Sequence, residues 1–293
     1  MYEAGLRSRA FRRFIKNPGA CIGLVLVLLL VVFALLGPPL ATFPPNLSDF
    51  VNGRNALGQP AGPSLAHPLG TDTLFRDLFS RLAQGARVSL LIATFATLIS
   101  IGVGTLLGIV SGMSVGTRAS GVDTLLMRLV DVGLSFPYLL LVMAIGAALG
   151  DTTILTILLV LGLSSWFGTA RLVRSKTLQV RSLDYITAAR ALGQTTPRIL
   201  LRHVLPNVAG PVIVLASASA ANMILAEAVL SYLQLGLPPP TPSWGRMLYE
   251  GQAAFLLTPR LVLAPGLLIV MAVLGFNLLG EGLRDALDPQ EDR

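Results

Sequence analysis

The sequence is short of charge, of cysteine and of histidine. Of its 293 residues only 13% are charged, against 53% hydrophobic. Soluble domains carry roughly 25% charged residues, so the deficit excludes a disordered chain and argues against a water-soluble globule. One cysteine, Cys21, lies inside an apolar run and excludes a disulfide scaffold. Two histidines, His67 and His203, stand far apart in the chain and offer no paired ligands for a metal. There is no Gly-x-x-x-x-Gly-Lys-Ser/Thr phosphate loop.

What is present is long apolar sequence. A helix needs about 20 mostly apolar residues to cross a bilayer. Residues 17–48 carry no charge, and 20–36 are almost purely aliphatic. The stretches 88–117, 132–150, 152–170, 204–226 and 261–280 are also uncharged. A β-barrel would alternate apolar and polar residues over segments of about 10, and these runs do not alternate. The reading is an all-α, polytopic membrane protein with six transmembrane helices in contact with lipid. The first run follows the basic residues Arg7 to Lys16 as a signal peptide would. It is long for one, and Gly37-Pro-Pro-Leu-Ala41 is a poor cleavage site, so a retained anchor is expected.

Lysine and arginine set the orientation. Six crossings from an inside N-terminus place Arg7, Arg9, Arg12, Arg13, Lys16, Arg118, Arg128, Arg171, Arg174, Lys176, Arg181, Arg190, Arg198, Arg202, Arg284 and Arg293 inside. Only Arg54, Arg76, Arg81, Arg87, Arg246 and Arg260 fall outside. A multi-pass protein of the cytoplasmic membrane with both termini cytoplasmic follows. The net charge of +7 is then topology, with no nucleic acid as partner. The expected organisation is a tail over 1–19, a first span over 20–36, an outside loop over 37–87, a core over 88–281 and a tail over 282–293.

In the outside loop Leu74, Leu78, Arg81, Leu82 and Gly85 recur at helical spacing. They suggest an interfacial amphipathic helix or a plain surface connector. Residues 174–207 are more informative. Asp184 is a candidate cap, and Tyr185, Ala188, Ala189 and Leu192 fall at i, i+3, i+4 and i+7 on one apolar face. Gly193 is a C-terminal stop. Thr196-Pro197 restarts a second short helix, and Pro206-Asn207 turns the chain back into the membrane. A small apolar face on a cytoplasmic helix suits a partner groove, or packing against its own neighbours.

Among the spans, Ser219, Asn222, Met223 and Ala226 can share one face, with Glu227 near its outer end. They are candidates for lining a path, Glu227 equally for a helix-to-helix hydrogen bond, since buried membrane charges are paired or functional. Asp131 is expected to pair with Arg128 at i,i+3. Gly102, Gly104 and Gly108 permit close helix approach. Pro137 and Pro265 are expected kinks. Gly162-Leu-Ser-Ser165 superficially suits an intramembrane serine hydrolase. However, His67, His203 and Lys176 all fall outside the spans, leaving no base within reach. A stand-alone channel or carrier is the other competing class.

Tyr185-Ile-Thr-Ala-Ala-Arg-Ala-Leu-Gly193, followed by Arg202-His-Val-Leu-Pro-Asn207, resembles the EAA loop of ABC-importer permeases. Ala188, Ala189, Gly193, Leu205 and Pro206 hold the family spacing. Thr187 stands in place of the glutamate and His203 in place of an isoleucine. His67-Pro-Leu-Gly-Thr-Asp72, Gly85-Ala-Arg-Val-Ser-Leu90, Ser231-Tyr-Leu-Gln-Leu-Gly236, Pro239-Pro-Thr-Pro-Ser-Trp-Gly245 and Asn277-Leu-Leu-Gly-Glu-Gly-Leu-Arg-Asp-Ala-Leu-Asp-Pro289 resemble the second permease subunit of dipeptide, oligopeptide and nickel importers. In that family Phe75 and Gln234 often stand as glycines.

The resemblance implies a MetI-like core pairing with a homologous permease as a heterodimer. It implies two cytoplasmic ABC ATPase subunits that carry ATP and Mg2+, with no cofactor or metal on this chain and no catalytic residue. An extracytoplasmic solute-binding protein would deliver di- or oligopeptides, or alternatively nickel or another small solute. The ATPase-coupling residues would be Tyr185, Thr187, Ala188, Ala189, Leu192, Gly193, Leu205 and Pro206.

Overall fold

A computed structural model describes residues 12–150 and 153–287. Arg7, Arg9 and Arg293, used for the orientation, and the motif's end at Asp288 and Pro289 lie outside the described residues, as do the outer parts of both tails. Among the described residues every extended element is helical, and β-structure is limited to isolated bridges within 48–77.

The helices are α1 (Pro18–Leu40), α2 (Leu78–Ser114), α3 (Ser120–Ser135), α4 (Tyr138–Leu149), α5 (Ile154–Ser164), α6 (Trp166–Arg181), α7 (Asp184–Ala191), α8 (Thr196–Ile199), α9 (Leu205–Tyr232), α10 (Trp244–Gly251) and α11 (Arg260–Leu287). Four helical stretches are long and apolar enough to cross a bilayer: α1, α2, the run Thr196–Tyr232 and α11. Two bent helix pairs bring the number to six when each pair is taken as one broken span. The α3–α4 pair bends by 97° and the α5–α6 pair by 40°. The expected kink at Pro137 is thus a full break: Phe136 and Pro137 are both extended or non-helical, because proline disfavours helical geometry at the residue before it. Pro265, by contrast, sits in the second turn of α11, and the helix runs through it.

α1 begins with Asn17, whose side chain accepts from the Ala20 N–H at 3.1 Å. It continues past the expected end through Pro38 and Pro39. Prolines lack the N–H that would bond four residues back, which frees the carbonyls of Ala34 and Leu35. Arg87 supplies both missing donors, Nε to Ala34 at 3.2 Å and Nη2 to Leu35 at 3.3 Å. The face of α1 turned to lipid is large and aliphatic, with Val25, Leu28, Leu29, Val32 and Leu35 exposed. Its protein face is small: a Cβ on Gly23 would fall 2.8 Å from the Gly275 carbonyl of α11. Lipid is as apolar as leucine, so close backbone approach, not burial from water, holds such pairs.

The α2–α6 seam follows the same rule. Gly104, Gly108 and Gly112 recur every four residues and meet Thr169, Val173 and Thr177, where added Cβ atoms would come within 2.5–2.7 Å. Gly102, expected in this role, faces open space; two residues from Gly104, it points off the seam. No separate interfacial helix precedes α2. Leu78 to Gly85 are its first two turns, capped by Asp77, which accepts from the Ser80 N–H at 2.8 Å, while Leu74 and Arg76 lie ahead of it.

Candidate functional site

Two places concentrate unusual features: the hairpin between α6 and α9, and a cavity at the two helix breaks. In the hairpin, α7 starts one residue away from expectation. Leu183 holds the cap position and its carbonyl accepts from Ile186 and Thr187, so Asp184 is the first helical residue and caps nothing. Its charge still complements the helix N-terminus. Thr195 likewise takes the cap position expected of Thr196.

The other end of α7 is a full Schellman closure: Gln194 donates to the Ala189 carbonyl at 3.0 Å and Gly193 to Arg190 at 2.9 Å. Gly193 carries φ +79°, a left-handed angle that glycine tolerates. The expected single apolar face is split. Ile186 and Ala189 turn inward, packing or buried with Val173, Val180 and Ile199 in the case of Ile186. Tyr185, Thr187, Ala188, Leu192 and Gly193 are exposed, with Leu192 84% so. Tyr185 packs against His203 with ring centroids 5.6 Å apart and planes tilted by 56°, and its hydroxyl accepts from Asn207 Nδ2 at 3.4 Å.

Leu205 and Pro206 are exposed on the stem of the hairpin, but Pro206-Asn207 does not turn the chain. Residues Leu200–Val204 form a single π-helical turn, in which the Leu205 N–H reaches back to Leu200. That wider turn absorbs the donor lost at Pro206, and helix continues from Thr196 to Tyr232.

The cavity, about 540 Å³, opens where the α3–α4 and α5–α6 breaks face the middle of α9. Ser219, Asn222 and Met223 all border it. Opposite them stand Tyr138 and Ser165, their hydroxyls 3.0 Å apart, each 3.9 Å from Met223 Sδ. Ser165 also donates to its own helix at Leu161, 2.7 Å away, as Ser164 does to Val160. Tyr138, Gly133 and Phe167 were not singled out from the sequence; the signal that could have found them is Pro137, which places the break beside them.

Glu227 stands outside this cavity. It is buried, and Ser89 of α2 donates to Oε2 at 2.8 Å while Ser231 donates to Oε1 at 2.7 Å. Ser89 in turn lies 3.4 Å from the Trp244 N–H. The carboxylate therefore bonds across from α9 to α2, and through Ser89 toward α10, as a helix-to-helix hydrogen bond would. Asp131 does not pair with Arg128. It bonds Arg171 of α6, which helix packing brings opposite it from 40 residues away.

At the other end the loop over 41–77 is clamped by charge. Glu250 accepts from Arg76 at 2.8 Å and Arg81 at 2.7 Å, and Asp72 accepts from Arg76 at 2.7 Å. His67 is fully buried between Asp77 (3.0 Å) and Asp49 (3.3 Å). The backbone N–H of Asn52, then those of Val51 and the Asn52 and His67 side chains, hold the Asp49 carboxyl below its ordinary range.

Residues 104–293 match the family described as binding-protein-dependent transport system inner membrane component, and residues 5–60 match the N-terminal TM domain of oligopeptide transport permease C. The dipeptide transport system permease protein of Alkalihalophilus pseudofirmus is 37% identical over 96% of this chain and 89% of its own length. The oligopeptide transport system permease protein of Bacillus subtilis is 34% identical over 96% and 88%. The glutathione transport system permease protein of Escherichia coli O157:H7 is 40% identical over 96% and 89%. Among solved structures, inward-facing conformations of the MetNI methionine ABC transporter share the fold at TM-score 0.58 and 16% identity, over 71% of this chain and 96% of that one. With a continuous match through its core and relatives above 30% identity over 96% of its length, this chain belongs to the binding-protein-dependent transport system inner membrane components.

Proposed function

We propose that this chain is one of two homologous permease subunits of a peptide importer in the cytoplasmic membrane, oriented with both termini inside. The hairpin over 174–207 docks on one of two ABC ATPase subunits, which bind ATP and Mg2+. An extracytoplasmic solute-binding protein delivers the solute to the outer face. The cavity bordered by Ser219, Asn222 and Met223 is this subunit's share of the path. No bond is made or broken here; ATP binding in the partners biases a two-state bundle through the docked hairpin.

The observation that carries this reading is the exposed edge of α7. Tyr185, Ala188 and Leu192 present an apolar strip on a rigid, Schellman-closed helix, and an apolar helix face of this kind fits a hydrophobic groove. Peptide is favoured as solute because the relatives are named for dipeptide, oligopeptide and glutathione transport. The test is reconstitution of the whole complex in proteoliposomes. Labelled dipeptide should accumulate only with ATP, and Ala188→Cys should cross-link to an ATPase subunit. Uptake that persists without the ATPase subunits would identify a stand-alone carrier and overturn the proposal; uptake of Ni²⁺ but no peptide would reassign the solute.

A further inference from the structure

Two ion pairs join α3 to α6, and they are built differently. Nearer the hairpin, Asp123 is saturated: Arg174 donates through Nε at 2.5 Å and Nη2 at 2.8 Å, and Ser111 of α2 adds a third hydrogen bond. That pair is largely shielded, the side chains 29% and 14% exposed. Closer to the cavity, Asp131 and Arg171 share a single contact, Nη2 to Oδ1. Their side chains are 57% and 51% exposed.

Arg171 has five N–H donors and spends one. The pair sits less than a helical turn from Gly133 and Leu134 on α3 and one turn from Phe167 and Gly168 on α6, all four bordering the cavity. No charged side chain lines the cavity itself among the described residues. On the hairpin side Arg171 stands within about one helical turn of the cavity lining as a cation with free donors. A carboxylate can engage a guanidinium through two parallel hydrogen bonds, where Asp131 makes one.

We propose that Arg171 is a carboxylate-binding residue at the inner mouth of the cavity, occupied in the empty permease by Asp131, and that its ligand is the free C-terminal carboxylate of the transported peptide. The incoming carboxylate displaces Asp131 and releases the clasp between the inner limbs of the two broken spans. This rests on the cavity being the translocation path. Asp131 is then an internal competitor, so neutralising it acts in the opposite direction to neutralising Arg171. A merely structural clasp would lose by either change.

The test uses the assembled permease–ATPase complex in nanodiscs, with Cys21→Ser and Ser219→Cys, and follows the rate of methanethiosulfonate labelling at position 219. N-acetyl-trialanine, which offers only a carboxylate, should slow labelling; trialanine amide, which offers only an ammonium, should not. Arg171→Gln should raise the concentration for half-protection at least about tenfold, with Arg171→Lys in between. Asp131→Asn should lower it by about 2–5-fold, the scale of an exposed ion pair. Equal protection by the amide, or weaker protection in Asp131→Asn, would overturn the proposal while leaving the path intact. Absence of labelling at position 219 would instead remove the path, and the proposal with it. If Arg171→Gln fails to copurify with the ATPase subunits, Arg171→Lys and Asp131→Asn decide.

Discussion

A left-handed backbone angle at a residue with a side chain costs roughly 1–2 kcal/mol, and among the described residues two non-glycines accept it, Phe75 at φ 60° and Gln234 at φ 64°. Their outcomes on replacement differ. Gln234 is exposed, so Gln234→Gly should relieve strain and stabilise by up to about 1 kcal/mol after the unfolded-chain entropy of glycine is subtracted. Phe75→Gly also loses the ring packed edge-on against Phe50, 5.7 Å away, and should gain nothing. Thermal unfolding of the purified complex separates the two. Asp49 supplies a pH dependence. Its folded-state carboxyl titrates below the ordinary value of 3.8, so its contribution is present above that value and is lost as pH falls through the lower folded one. Hydrogen exchange at Val51 and Asn52 should therefore accelerate at the acid end, and Asp49→Asn should remove that step. Residue partnerships were the least legible feature of the sequence. Arg128 lies i−3 from Asp131 and looked sufficient, yet packing selected Arg171. Glu250 gathers arginines 169 and 174 positions away, a separation at which no local pattern points.

At the scale of elements, the uncharged runs fall on the four long apolar helical stretches and on both bent pairs, because the bilayer penalises charge regardless of fold. They did not show that two of these places are bent helix pairs, since hydropathy records composition and not direction. The glycine period was partly legible: Gly104 and Gly108 mark the α2–α6 seam, but Gly112 belongs to it too and Gly102 does not. Gly108→Val would force its Cβ into the Ala170 carbonyl at 2.6 Å. Overpacking of this kind costs about 1–3 kcal/mol, and the yield of assembled complex should drop, whereas Gly102→Val should leave it unchanged. In the hairpin, Gly193→Val meets no neighbour yet cannot hold φ +79° without strain. The membrane bundle should still assemble, while the turn after α7 shifts and peptide uptake falls relative to ATP hydrolysis. Full coupled uptake in Gly193→Val would count against the hairpin as a docking piece.

For the molecule as a whole, the consequential element is the unbroken helix from Thr196 to Tyr232. At 1.5 Å per residue its 37 residues span about 55 Å. It runs from the hairpin, past the cavity at Ser219 to Met223, to Glu227 and Ser231 beneath α10. A rigid rod in this position carries any movement of the hairpin to both ends of the cavity. The sequence suggested a stop at Pro206-Asn207; the π turn just before it is what lets the rod continue, and it also fixes the rotation of α7 relative to α9. Val204 at the end of the turn, Val208 beyond it and Ile199 before it are buried in one cluster with Ile186, so that rotation is built into the packing. Inserting one alanine after the exposed Leu201 adds a residue that the π turn, already one residue wider than an α turn, does not absorb, and rotates the two parts by about 100° against each other. The membrane-embedded half of α9 keeps its contacts with α2 and α11, so the subunit should still assemble. In the proposed complex, however, the hairpin would meet the ATPase subunit in the wrong orientation. Coupling free energies commonly correspond to 5–150-fold effects, and uptake per ATP hydrolysed should fall by about tenfold in proteoliposomes. Unchanged stoichiometry in the insertion variant would mean that the docked hairpin turns freely on its stem, and that force reaches the cavity by some route other than this helix.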